Sequence, residues 1–94
     1  MNLTEEQLKE VEEMSYRLIP PSFIAINIEV DELDFQEAIK IPNTPVRSAF
    51  YKGHIRQMIE IRESLIKAAK NGSNPAQQEL IKFLSEQQNI IKHG

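Results

Sequence analysis

Apolar residues recur at three- and four-residue steps through Val46, Phe50, Ile55, Met58, Ile59, Ile61, Leu65, Ile66 and Ala69. This spacing predicts one long helix over Thr44 to Gly72. Thr44 stands as its cap and Pro45 as its first helical residue, where a missing N–H costs nothing. Lys67 and Lys70 fall in the last turn, and Asn71-Gly72 supplies the left-handed end. Such a helix runs about 40 Å. Gly53 inside it costs roughly 1 kcal/mol relative to alanine, and marks either a close helix crossing or a slight kink.

Two further helices are predicted with clear boundaries. Glu5 to Leu18 carries a stripe of Leu8, Val11, Met14 or Ser15, and Leu18. Thr4 and Gln7 form a capping box at its start, with Leu3 placed to staple onto Leu8. Pro20-Pro21 end it. After Gly72, Ser73-Asn74-Pro75 restarts a helix, with Asn74 as cap and Pro75 as first residue. Ala76, Leu80, Phe83 or Leu84, Gln87 and Ile91 line one face of it up to about Lys92. The short connection predicts that the last two helices pack antiparallel.

Residues 22–40 read two ways. Ile24, Ile26, Ile28 and Val30 alternate as in a strand, yet no second strand is present to pair with it. The spacing of Ile24, Ala25, Ile28, Val30 and Phe35 also fits two helices crossing over a short turn. In that reading, which we favour, Ser22 caps the first helix and Asp31 caps a second from about Glu32 to Lys40. Ala25 allows close approach, Ile24 and Ile28 fill the core, Val30 plugs the turn and Phe35 anchors the second helix. Glu29 occupies the turn position where the motif usually has glycine. The expected fold is therefore all-α. It is one helical domain over 1–94, with an acidic helix-turn-helix-like head (1–41) and a long antiparallel helical hairpin (44–94).

Composition narrows the functional classes. Charge is unevenly spread: residues 1–37 hold ten acids against two bases, and residues 38–94 hold nine bases against four acids. Such polarity allows a basic face to meet nucleic acid, or the halves of neighbouring subunits to attract each other. The 94 residues include no cysteine, which excludes disulfides and thiol chemistry and is compatible with an intracellular setting. The N-terminal stretch LTEEQLKEVEE is acidic and amphipathic, unlike a secretory signal. No apolar run approaches the ~20 residues that span a bilayer.

Candidate chemistry is sparse. The sequence has no P-loop, dinucleotide fingerprint, GxSxG or HExxH motif. The acids at 31, 32, 34 and 37 lack the spacing and glycine of a calcium loop. His54 and His93 have no ligand-spaced partners. We therefore expect no enzyme, no metal and no cofactor. Lys40, Arg47, Lys52 and Arg56 cluster around the start of the long helix, with Lys52 and Arg56 on one face. They either contact DNA phosphates or pair with the acidic head, for example with Glu37 or Asp34. Phe50 reads as core. Tyr51 is an aromatic beside cations, suited to stacking on a base. Ile59, Leu65, Ile66, Leu80, Phe83 and Leu84 are the candidate self-association positions, because so small a chain buries only part of its apolar surface alone.

Three segments carry a family resemblance: IAINIEVDELDF (Ile24 to Phe35), PNTPVRSAFYKG (Pro42 to Gly53) and AAKNGSNPAQQELIKFL (Ala68 to Leu84). The layout resembles the small, DNA-recognising subunit of tailed-phage terminases and related small prophage packaging proteins. Phe50-Tyr51-Lys52-Gly53 matches the segment opening that family's long helix. Ala69, Gly72, Asn74, Pro75 and Ala76 match its closing turn, with one extra residue before Asn-Pro. The resemblance implies DNA binding at a packaging start site, homo-oligomerisation through the long helices, a large ATPase-nuclease terminase subunit as partner, and the cytoplasm of a bacterial host. The sequence departs from the family in the second helix of the motif, which normally enters the major groove. Here it carries Glu32, Asp34 and Glu37. The alternatives are a helical protein–protein interaction module that uses the acidic head, and a small helix-turn-helix transcription regulator.

Overall fold

A computed structural model describes residues 1–93. It is all-helical, with α1 (Glu5–Tyr16), α2 (Pro21–Asn27), α3 (Glu32–Ala38), α4 (Pro45–Lys70) and α5 (Asn74–His93). The chain forms two compact units, one from Met1 to Met58 and one from Ile59 onward. The division falls within α4.

The first unit is a small core closed by four helical segments. Phe35, Ile24, Val11 and Ala25 are fully enclosed, and Ile28, Ala38, Ile39, Val46 and Phe50 complete the cluster. Leu3, Leu8, Met14, Ile19 and Val30 pack against its margin. Residues 24–30 thus belong to a helix and its turn, and α2 packs on α3 as the helix-turn-helix spacing predicts. Strand-like alternation in this stretch is overridden because Ile24 and Ile28, one helical turn apart, reach the same core.

Local signals fix most helix starts. Thr4 and Gln7 form the reciprocal capping box, and the Gln7 amide also donates to the Ile28 carbonyl at 3.2 Å. Asp31 accepts from the Asp34 N–H and Thr44 from the Arg47 N–H. Two caps differ from expectation. Ser22 lies inside α2, which opens at Pro21 with Pro20 in the cap position and no side-chain cap bond. Proline at the first helical position has no N–H there to satisfy, so the helix starts one residue earlier. At α5 the cap is Ser73, whose hydroxyl accepts from the Ala76 N–H, and Asn74 is already helical.

Helix ends follow one device used three times. The N–H of Ile19, Val30 and Ser73 each reaches back to the carbonyl of Met14, Ala25 and Ala68. The residue before each, Leu18, Glu29 and Gly72, is left-handed at φ 61°, 61° and 95°. This is the Schellman arrangement, for which glycine is the usual residue. Only the last of the three has it. Leu18, expected in the buried stripe of α1, is therefore turned out and exposed. Glu29 holds the tight turn between α2 and α3 despite its Cβ, which costs about 1 kcal/mol. Glu29→Gly is accordingly expected to raise unfolding free energy by roughly 0.5–1 kcal/mol, measured by urea titration. A loss of stability would show that the Glu29 side chain holds the turn.

In the second unit, Arg62 lies 4.3 Å from the centroid of the Phe83 ring, and the Gln77 amide donates to the Ala69 carbonyl at 3.0 Å. Low numbers on α4 thus meet high numbers on α5, so the two segments run antiparallel. Ala69 and Ala76 are buried near the turn.

Candidate nucleic-acid interface at the start of α4

The four basic candidates do not share one environment. Arg56 is committed to its own chain. Its Nη1 donates to Glu12 at 2.8 Å and Glu13 at 3.0 Å, and its guanidinium lies 4.6 Å from the centroid of the Tyr16 ring. These bonds, to Glu13 first and then Glu12, raise the pKa of Arg56 above the ordinary arginine value. Of the two expectations for this side chain, intramolecular pairing is the one the geometry displays. The partners come from α1, however, and not from Glu37 or Asp34. The pairing follows from Gly53. Its open flank lets α4 approach α1 so closely that the Glu12 carbonyl lies 2.0 Å from where a Cβ would stand. One turn later Arg56 faces the same stretch of α1, and Gln57 donates to the Tyr16 carbonyl at 2.8 Å.

Arg47 has a double role. Its Nη1 donates to the Ile39 carbonyl at 2.8 Å, closing the end of α3, while its guanidinium lies 4.7 Å from the centroid of the Tyr51 ring. Tyr51 meets Phe50 edge-on at 5.2 Å, and Phe50 is core as expected. Phe50 also stacks on half-buried His54 at 6.3 Å. The main-chain carbonyl of Phe50 accepts from the buried Ser15 hydroxyl.

Lys40 and Lys52 are exposed, and among the described residues neither forms an ion pair. Lys52 lines a shallow groove between α1 and α4 together with Lys9, Leu8, Glu12, Pro45, Ser48 and Ala49. A second open cleft, of about 600 Å³, adjoins it across Pro45 and Ser48 and is lined by Asn43, Thr44, Arg47, Tyr51 and Ile55. Glu12, the acid in the first groove, is already taken by Arg56. The surface that results runs from Lys9 and Lys52 over Ser48 to Arg47 and Tyr51, with Lys40 following the carbonyl that Arg47 caps. Lys9 was not legible as a member. It sits among five glutamates in the first helix, and only the α1–α4 packing carries it to the basic side.

The exposed side of α3 is different in character. Glu32, Leu33, Asp34 and Glu37 are all exposed, Leu33 at 73%. No basic residue of the described chain pairs with these acids.

In the second unit the self-association candidates divide. Leu65, Leu80 and Phe83 are half-buried between α4 and α5, whereas Ile59, Ile66 and Leu84 are exposed. Among the described residues no helix is long and apolar enough to cross a membrane, and no cluster of three or more His, Cys, Asp or Glu is placed to hold a metal ion. Comparison with protein-family models, curated proteins and solved structures gives no match for this chain.

Proposed function

We propose that this protein is a non-enzymatic DNA-packaging protein of the terminase-small-subunit kind, which binds duplex DNA through its first unit and self-associates through its second. One observation carries the DNA part. Beside the core of the first unit, Lys9 and Lys52 line one groove whose acid, Glu12, is paired with Arg56, and Arg47 lines the cleft that adjoins it; Lys40 follows the α3 end that Arg47 caps. Phosphate binding by such a run needs no base readout. In this reading the basic run lies along the sugar–phosphate backbone and the acidic α3 does not enter the groove. The exposed apolar residues of the second unit support self-association. A large terminase subunit is the partner that this reading requires.

The test uses lysines, because Arg47 and Arg56 have structural bonds whose loss would confuse the result. Lys9→Gln, Lys40→Gln and Lys52→Gln together are expected to weaken duplex binding about 100-fold near 50 mM salt, and to flatten the slope of log K against log salt by about 2 to 3. Fluorescence anisotropy over several salt concentrations reads both. Unchanged affinity would remove these lysines from the interface. A wild-type protein that ignores duplex at low salt would sink the DNA reading. It would favour the interaction module, with the unpaired acids and exposed Leu33 of α3 as the surface for a basic protein partner.

A further inference from the structure

The second unit leaves one apolar face open to water. Ile59 and Ile66 on α4, and Leu84 and Ile91 on α5, are exposed, and Leu80 is half-buried beside them. Between the helices this face is a shallow, almost wholly apolar groove of about 170 Å³, lined by Arg62, Ile66, Leu80, Phe83, Leu84 and Gln87. A two-helix hairpin has no third layer to lay over such a groove. Ile59, Ile66, Leu84 and Ile91 are 52%, 41%, 62% and 81% exposed, and a contiguous exposed apolar patch of this kind marks an interaction site.

We propose that this groove seats the same groove of a second copy, with the two α4 segments antiparallel about a two-fold axis beside Ile66. The inference rests on the self-association in the reading above and adds the face and the orientation. A two-fold arrangement lets one face cover itself. Orientation follows from charge. Glu63 and Lys70 lie on the Ile66 flank of α4, within about 60° of it at 100° per residue. Glu63 stands three residues before Ile66 and Lys70 four after. Among the described residues neither forms an ion pair. Antiparallel alignment sets Glu63 of each copy against Lys70 of the other, giving two ion pairs across the apolar strip. In a parallel two-fold pair the flank bearing Glu63 and Lys70 falls on opposite sides of the seam in the two copies, so neither ion pair forms.

The chain's lack of cysteine makes the test clean. Ile66→Cys and Ile59→Cys are made separately in the full chain, oxidised mildly and run without reductant, beside light scattering of the unmodified protein. Ile66→Cys is expected to convert most of the protein to a covalent dimer. Ile59→Cys is expected to link at least about tenfold less, because antiparallel alignment holds its two thiols roughly 22 Å apart along the axis, far beyond disulfide reach. Equal linking at both positions would mean parallel copies and overturn the orientation. A dimer by scattering with linking at neither position would overturn the face while leaving self-association standing. A 10.9 kDa monomer at about 100 μM would overturn both. As an independent check, Glu63→Lys is expected to weaken the dimer roughly tenfold and added Lys70→Glu to restore it. A double variant no tighter than the single one would also count against the alignment.

Discussion

Gly53→Ala is expected to lower the melting temperature by roughly 15 °C, from a loss of about 3 kcal/mol. The sign is what makes the experiment informative. Alanine is the better helix former by about 1 kcal/mol, so intrinsic propensity alone predicts stabilisation. The contact decides otherwise. An added Cβ would stand 2.0 Å from the Glu12 carbonyl oxygen and 2.9 Å from both the Glu12 carbonyl carbon and the Tyr16 nitrogen. All three are main-chain atoms of a helix and have no rotamer with which to retreat. Relief comes only by moving α4 away from α1, which breaks the bonds of Arg56 to Glu12 and Glu13, of Gln57 to Tyr16 and of Ser15 to Phe50. A chain of this length is stable by only about 5–14 kcal/mol, so Gly53→Val is expected to leave the first unit unfolded at 37 °C. Thermal circular dichroism measures both. A Gly53→Ala protein as stable as its parent would show that α1 and α4 do not meet at this depth.

The second large effect is at Phe35. Its side chain is 0% exposed and sits where α3 meets the cluster of Val11, Ile24 and Ala25. Removing the ring is expected to cost about 4 kcal/mol, part lost transfer energy and part residual cavity. Urea unfolding of Phe35→Ala gives the value directly. Phe35→Leu fills most of the same space and is expected to lose less than half as much. The comparison separates burial from a specific aromatic role, because a stacking function for the ring would make the two variants equally damaging. A loss below about 1 kcal/mol for alanine would remove α3 from the core and with it the helix-turn-helix geometry.

Features carried by neighbouring residues were legible in the sequence. Thr4 with Gln7, Asp31, Thr44 with Pro45 and the Gly72 terminus each depend on residues within one turn, and all occur as read. The core of the head was legible for a related reason. Ile24, Ala25, Ile28 and Phe35 serve one crossing whose spacing is short enough to recognise. What escaped was set by distance or by a residue acting against type. Leu18 and Glu29 take left-handed conformations that nothing in their chemistry announces, in helix ends where glycine is the usual residue. Gly53 stood between two readings, and only the α1 main chain across from it identifies a close crossing. The partners of Arg56 lie over forty positions away, so a basic cluster in sequence became one brace, one helix cap and two lysines that form no ion pair among the described residues. The long helix shows a different limit. Its apolar periodicity is real, yet Ile55, Met58, Ile59, Ile61 and Ile66 remain exposed, because periodicity specifies a face and not what covers it.

The Gln7 amide joins two places far apart in the chain. A glutamate at position 7 would complete the same capping box, and its charge would suit the start of α1 better. Its second oxygen would then face the Ile28 carbonyl, acceptor against acceptor, at the end of α2. Only the amide has an acceptor for Thr4 and a donor for Ile28. The beginning of the first helix and the turn of the helix-turn-helix are thereby made one cooperative unit, in which neither end frays without freeing the other.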